Sequence, residues 1–581
     1  MFSIWLKIQN FFQNSWHGLK NLRDIDKART VAVLESLSKS QIRFGITAAL
    51  IVLISGGFLI TRLFADRGPG PHFGGELTEG VVGQPQFINP ILAAGSSVDS
   101  DLTRIVYAQL LKFDANETLA PDLALSLPEI SEDQKTFTLR LKPDLKWQDG
   151  KPLTADDVIF TIQSIQNSEY ESALRANWIR IKIEKIDDLT ITFQLNEVSS
   201  SFINNFALGI LPKHLWENLT PRNFRLSDQN LKAIGSGPFQ IETIRKTADG
   251  TIKSATLKAN PLYHEGRPYL NRITIKFYND YESLLTAYQG REIQAVGLVP
   301  FDKSAFLTAH NQSQVRSLNL PQYQAVFLNV ARNPILAEKA VRQALWLVTD
   351  REQIIDDIYS NNVAPAYGPI LPESLGFNPE IEKTIHYSLA EANDILNRAG
   401  WAMNTETGVR VKKGTPLEFN LVTSGNLVLN VKTGQVIQEQ WAKIGAKVNL
   451  IIVSPRQLQE EYIRGRSFDA ILTSENTGAD PDPFPFWHTS QSHDPGLNLT
   501  GFTNAESDRL LTQARQTNDV NIRSANYQRF QEIINQELPA IFLTRSLFIY
   551  TTPKSLGGVD LNNIIHPSER FLDINRWYFQ K

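Results

Sequence analysis

Lys146-Trp-Gln-Asp-Gly-Lys-Pro-Leu-Thr-Ala-Asp-Asp-Val158 compresses a turn and a helix start into one short stretch. Asp149-Gly150 is a turn signal, because aspartate hydrogen-bonds its own backbone and glycine accepts positive φ. Thr154 with Asp157 three residues on is a capping pair, so a helix is predicted to begin there. Trp147, beside the turn, reads as a core side chain of a scaffold element. Outward from this unit, Thr136 to Leu141, Thr190 to Leu195 and Arg272 to Phe277 alternate apolar and polar residues like half-buried strands. Further helices are predicted from Ser388-Leu-Ala-Glu391 to Gly400, from Thr503-Asn-Ala-Glu506 through Ala514, over Val341 to Leu347 and over Gln435 to Ile444. The last is followed by Gly445 and a strand at Lys447 to Val453. The chain is therefore an α/β mixture.

At 581 residues it exceeds a single ordinary core and suggests about three or four domains. A net charge of -3 gives no overall bias toward nucleic acid, and no nucleic-acid partner is expected. With no cysteine, disulfides, thiolate zinc sites and a lipid-bearing amino-terminal cysteine are excluded. Membrane attachment must then come from the polypeptide. Residues 44–64, FGITAALIVLISGGFLITRLF, are apolar up to Arg62 and long enough for a helix to cross about 30 Å of hydrocarbon. Lysines and arginines outnumber acidic residues before this run, which places residues 1–43 in the cytoplasm as a tail and everything after residue 65 outside. No small-x-small pair follows the run, so an uncleaved single-pass anchor is expected rather than a signal peptide. Residues 65–75, rich in glycine and proline, read as a linker.

Late in the chain, Gly478-Ala-Asp-Pro-Asp-Pro-Phe-Pro-Phe-Trp487 carries three prolines in five positions. Each fixes φ and removes a donor, so a stiff extended or turning loop is expected, walling a binding site with two carboxylates and three aromatics or serving as a structural turn. Asp480 and Asp482 also imitate a hydrolase acid/base pair. A metal site is disfavoured: His488 and His493 lie at neither helical ligand spacing and are flanked by Pro485 and Pro495. No Gly-x-Ser-x-Gly elbow or phosphate loop is present in the sequence. Neither cofactor nor metal is expected, and the chain is read as a non-enzyme.

Several motifs occur in a telling order: Glu76-Leu-Thr-Glu-Gly-Val-Val, Phe87-Ile-Asn-Pro90, Pro121-Asp-Leu123, the Trp147 stretch, Leu211-Pro-Lys-His214, Gly235-Ser-Gly-Pro-Phe239, Val341-Arg-Gln-Ala-Leu345 and the Asp480 loop. Together they resemble the family 5 extracellular solute-binding proteins, the peptide, dipeptide and nickel receptors of ABC importers. The resemblance implies a two-lobed periplasmic-binding-protein-like fold of type II, in its large variant, here preceded by one transmembrane helix. Lobe I would comprise 76–115, 232–321 and 540–581, with an inserted subdomain at 116–231 and lobe II at 322–539. The chain would cross between lobes near Gln322 and Pro539.

In peptide-binding relatives, an aspartate just before the Asp-Pro turn takes the ligand's amino group; an ungapped alignment puts Thr477 there. Dipeptide receptors hold the ligand carboxylate with an arginine and a tyrosine, where this chain has Ser424 and Asn426. Losing that clamp argues against strict dipeptide specificity. The candidate contacts on the second lobe are thus Ser424, Asn426, Glu475, Asn476, Thr477, Asp480, Asp482, Phe484 and Trp487. On the first lobe the resemblance points to Gln84, Phe87 and Asn89, and the amides of Gln84 and Asn89 suit a peptide backbone. The expected protein is a membrane-anchored receptor with a monomeric ectodomain. It would bind oligopeptides and deliver them to an ABC permease driven by a cytoplasmic ATPase. Alternatives are another solute, such as a metal chelate or oligosaccharide, a surface hydrolase using Asp480 and Asp482, and a structural surface protein.

Overall fold

The structure, a computed structural model, describes Ser55 and residues 70–114, 117–297, 307, 313–360, 362–425, 428–494, 496–561 and 563–580. Two compact units divide the chain, Met1–His72 with Lys581, and Phe73–Gln580. The apolar run 44–64 lies, apart from Ser55, outside the described residues. Among the described residues, no helix is long and apolar enough to cross a membrane.

The second unit is organised on one ten-stranded mixed sheet. In chain order its strands are β1 (Glu76–Val82), β2 (Phe239–Lys246), β3 (Ile252–Ala259), β4 (Arg272–Tyr278), β5 (Ala295–Gly297), β6 (Ser313–Leu328), β7 (Glu418–Ser424), β8 (Lys447–Val453), β9 (Ala470–Asn476) and β10 (Ala540–Pro553). Across the sheet they run β8-β7-β9-β6-β10-β5-β1-β4-β3-β2. The long strands β6 and β10 pair antiparallel and belong to both ends. The carboxyl-terminal stretch of β6 lies between β9 and the amino-terminal stretch of β10, whereas Val296 and Gly297 of β5 pair with Thr551 and Tyr550 near the other end of β10. The ladder between them breaks register between Asn319 and Tyr323, around Pro321, which has no N–H to donate.

Each side of this break has its own hydrophobic packing. Beyond Tyr323 the period of two in β6 is plain: Val326 and Leu328 pack into one buried cluster, Tyr323, Ala325 and Phe327 into another on the opposite face. Helices 339–347, 389–398 and 428–442 cover the first face; helices 505–515 and 520–537 cover the second. Each fully buried Val, Leu or Phe in these stripes is worth about 1.5–3 kcal/mol. On the other side, β1, β3 and β4 share a core with a separate four-stranded antiparallel sheet formed by 129–130, 136–140, 190–194 and 182–185. That small sheet is capped by a cluster of Phe137, Trp178, Phe193, Phe202 and Phe206, whose rings meet edge-on or tilted.

Local expectations fare well where periodicity is strict. Strands at Thr136–Arg140, Thr190–Gln194 and Arg272–Tyr278 form where alternation predicts them, and Lys447–Val453 forms after the helix stop at Gly445. The Thr154 helix spans Ala155–Gln166, and the Asp157 carboxylate accepts from Thr154 N at 2.9 Å and from Lys213 N at 2.9 Å. Near 503 the cap is Asn504, whose side chain accepts from Ser507 N, rather than Thr503. The proline loop also differs from expectation, since Phe484–Trp487 makes one helical turn. Its prolines sit at the cap and in the first turn, where a missing N–H costs no helical bond.

One helix, α1 (Ser97–Val106), is held by both of the chain's distinctive turn motifs. Gly235 and Gly237 press against its last residue: a Cβ at 235 would lie 2.1 Å from the Val106 oxygen, and one at 237 would lie 2.6 Å from the Val106 carbonyl carbon. Only glycine permits that approach. Gln148 then ties the motifs together, with Gln148 N donating to Gly235 O at 2.9 Å and its side-chain Nε2 donating to Phe239 O at 2.8 Å.

Candidate functional site

The clamp on Val106 orients the rest of α1. Val98, Leu102, Ile105 and Val106 are buried in the core, whereas Ser100, Thr103, Arg104 and, just past the helix end, Tyr107 line a cavity of about 690 Å³. These four recur at i, i+3, i+4 and i+7, one helical face. The same side of the cavity carries Asn177, Ser201, Asn204 and Asn205 from the small-sheet region, with His566, Ser568 and Glu569 from near the carboxyl terminus. Facing them are Asn476 to Asp480, Asp482, Pro485, Phe486 and Arg515. The two walls touch where Ser200 N donates to Arg515 O at 3.0 Å.

Of the residues singled out in the sequence, Asn476, Thr477, Asp480 and Asp482 line this cavity together. Thr477 is tied to the register break by its N and Oγ1, which donate to Pro321 O at 2.8 and 3.1 Å. Asn476 Oδ1 accepts from Gly478 N at 2.8 Å, closing a turn that needs the positive φ of Gly478. Both aspartates are already paired. Asp480 takes Arg523 Nη2 at 2.6 and 2.7 Å on its two oxygens, and Asp482 takes Arg515 Nε at 2.6 Å. Burial pushes the Asp482 carboxyl up, and the Arg515 guanidinium pulls it back. These pairs leave no free carboxylate couple for the hydrolase reading, because each acid is spent on an arginine.

The other candidates fall outside the cavity lining. Phe484 stacks on His488 at 4.0 Å with the Arg515 guanidinium 4.3 Å above its ring. Trp487 is 1% exposed and packs against Phe327, Phe530 and Phe542, so it belongs to the core. Ser424 is buried at the end of β7, and Asn426 lies outside the described residues. Gln84 Oε1 accepts from Ile252 N at 3.1 Å, Arg225 lies 4.9 Å over the Phe87 ring, and Asn89 is fully buried against Asn230. From that loop it is Pro90 that reaches the cavity. Glu475 is buried beside Tyr323, and burial raises its carboxyl to about 8.

The sequence reading missed Arg104, Tyr107, Asn204, Asn205, Arg515 and His566. The spacing of Ser100, Thr103, Arg104 and Tyr107, at i, i+3, i+4 and i+7, was a visible signal. Elsewhere Asp122, His264 and Glu265 bring three potential metal-ligating atoms within 4.8 Å of one another. There the Lys112 ammonium sits 2.7 Å from Glu265, which already gives that carboxylate a cation, and His264 Nε2 lies 3.0 Å from Asp122 Oδ1.

With the cavity set between two separately packed halves of one sheet, the comparisons decide the family. The model of bacterial extracellular solute-binding proteins, family 5 middle region, matches residues 118–497, more than half of the chain. The chain belongs to this family. It is 29% identical over 517 residues to the oligopeptide-binding protein AppA of Bacillus subtilis, covering 88% of this chain and 93% of that one. The structure of AppA in complex with a nonapeptide superposes with a TM-score of 0.71 at 28% identity, covering 88% of this chain and all of that one. NikZ from Campylobacter jejuni, in complex with Ni(L-His), gives a TM-score of 0.72 at 26% identity, covering 87% and 99%. MoaA from A. tumefaciens R10, in complex with mannopinic acid, gives 0.69 at 26% identity, also covering 87% and 99%. The fold is thus the two-lobed α/β fold of periplasmic binding proteins, and the family is one of solute-binding proteins.

Proposed function

We propose that this family 5 protein is a peptide receptor, favouring oligopeptides, which hands its ligand to an ABC permease outside the cell membrane. The observation that carries the reading is the composition of the cavity wall. Asn177, Asn204, Asn205 and Asn476, with the hydroxyls of Ser201 and Ser568, face a space of about 690 Å³, within the range of ligand pockets. Amides and hydroxyls serve backbone N–H and C=O groups alike, so they hold a peptide with little regard for its side chains. The likeness to AppA supports the same ligand class, whereas NikZ and MoaA indicate the other solutes that this architecture accommodates. The lobe limits that fit this reading are 76–115, 232–321 and 540–581 for lobe I, 116–231 for its inserted subdomain and 322–539 for lobe II. Closure of the two lobes around the ligand would then be favoured by contacts made only when both walls touch it.

The test is native mass spectrometry of the full chain purified in detergent, with sequencing of whatever is released. Heterogeneous short peptides are expected; a single sugar or metal chelate as the bound species overturns the peptide reading.

Residues 44–64 are proposed as a single-pass anchor, with residues 1–43 in the cytoplasm and 65–75 as the tether, on the length and charge flanks of the run. Amino-terminal sequencing of the membrane-bound protein is expected to start upstream of residue 44. A start after residue 65 shows cleavage instead.

A further inference from the structure

The polar stripe on α1 carries an unmet demand. Thr103 Oγ1, Arg104 Nη2 and Tyr107 Oη are each shielded from solvent and have no hydrogen-bond partner among the described residues. Arg104 spends its Nη1 on the Gln109 side-chain oxygen, and Gln109 in turn donates to Ala207 O at 3.0 Å, which fixes the guanidinium at the wall. Arg104 has no carboxylate at ion-pair distance among the described residues. The cavity-lining aspartates are already taken, Asp480 by Arg523 and Asp482 by Arg515. Glu569, the remaining acid on the wall, accepts from the backbone of Ile565 at 2.7 Å and caps its own helical turn.

A buried donor without an acceptor costs about 1–3 kcal/mol, and all three donors belong to residues that line the cavity. All three groups offer hydrogens: an N–H that cannot be given up and two hydroxyls. A group that accepts hydrogens of this kind, and answers the charge of Arg104 besides, is an anionic acceptor with two oxygens. On the facing wall the Thr477 hydroxyl is committed to Pro321 O, and both cavity-lining aspartates are committed to arginines. The cavity is therefore better equipped to hold a negative end of a ligand than a positive one.

We infer that Thr103, Arg104 and Tyr107 form a carboxylate-binding subsite, so that this receptor anchors its ligand by a carboxylate on the α1 wall. The inference rests on the solute-receptor reading and specifies which ligand group is held. Peptide carboxyl termini and small organic acids share this chemistry, and the test separates them.

Binding of two panels to the full chain is measured by calorimetry. One is a mixed-sequence nonapeptide pool as free acids, as carboxyl-terminal amides and as amino-terminally acetylated acids; the other is a set of mono- and dicarboxylic acids with their amides. Free acids are expected to bind about 10- to 100-fold more tightly than the matching amides, with amino-terminal acetylation of little effect. Arg104→Met is expected to erase that difference. Tyr107→Phe serves as the control for folding, because it removes only an unpartnered hydroxyl. It should weaken acid binding several-fold without lowering the Tm of the ligand-free protein. If peptide acids and amides bind equally to wild type, the subsite is overturned and the peptide reading survives. If no peptide binds but organic acids do, and Arg104→Met abolishes this, the peptide reading fails and the subsite stands. Absence of any acid-over-amide preference in both panels overturns the inference outright.

Discussion

Arg570→Met is expected to lower folding stability by about 3–5 kcal/mol, the range for removing one partner of a buried ion pair. Arg570 is 2% exposed and holds three distant segments together. Its two terminal nitrogens meet both oxygens of Asp101 on α1 at 2.7 and 2.5 Å, and its Nε donates to Glu79 on β1 at 2.9 Å. Tyr550 of β10 donates to the other Glu79 oxygen at 2.8 Å. Methionine would fill much of the volume and keep contact with Phe571, whose ring lies 4.1 Å from the guanidinium carbon. It would nevertheless leave two carboxylates buried with no cation. Burial already raises both the Glu79 and Asp101 carboxyls, and without Arg570 each would take up a proton in the folded state across a wider pH range. The defect should therefore be larger at pH 8 than at pH 5 by chemical denaturation. Adding Asp101→Asn to the variant should recover part of the loss; an unchanged denaturation midpoint in Arg570→Met would show that the network contributes nothing.

The second large effect concerns Glu475→Gln. Glu475 lies on β9 opposite Tyr323, buried, with no ion-pair partner among the described residues. Burial raises its carboxyl to about 8, partly opposed by the neighbouring Tyr323 hydroxyl. Because the folded value lies above the unfolded one, the protonated acid stabilises the fold fully below about pH 4.5, the ordinary carboxylate value, and that stability is lost as pH rises through about 8. The slope approaches about 1.4 kcal/mol per pH unit inside this window. Glutamine has the shape of the protonated acid and does not titrate. The variant is expected to match wild type near pH 5 and to exceed it by several kcal/mol at pH 8, measured as parallel denaturation curves. A wild-type protein equally stable at both pH values, once the variant's own pH dependence is subtracted, would rule this out.

The scaffold was more readable in the sequence than the cavity, for physical reasons. Strands such as Arg272–Tyr278 and the Thr154 helix are written in neighbouring residues, by alternation and by caps. The partners that neutralise Asp480 and Asp482 are not local: Arg523 and Arg515 lie on two later helices, and only the folded arrangement brings them to the loop. A carboxylate in a proline loop looks available in a sequence because its counterion is invisible there. The loop at 83–90 illustrates the converse error of proximity. It reaches the cavity through Pro90, while Asn89 turns inward to Asn230 and Gln84 to the backbone of β3. Arg104 was legible in principle, because the i, i+3, i+4, i+7 stripe can be seen without coordinates. What could not be seen is that Gly235 and Gly237 clamp the end of that helix and so set which way the stripe faces.

The interrupted ladder between Asn319 and Tyr323 bears on mechanics. Paired rungs persist on either side, from Ser313 to Asn319 and again from Tyr323 to Phe327, so β6 and β10 cannot slide past each other without breaking both sets. Around Pro321 the rungs are missing, like an unsewn gap in a book's spine, so fewer hydrogen bonds resist bending there than resist sliding along the paired stretches. Thr477, bonded to Pro321 O, ties the cavity wall directly to this gap. A guest pressing on that wall would act beside a break in the ladder that joins the two halves of the sheet.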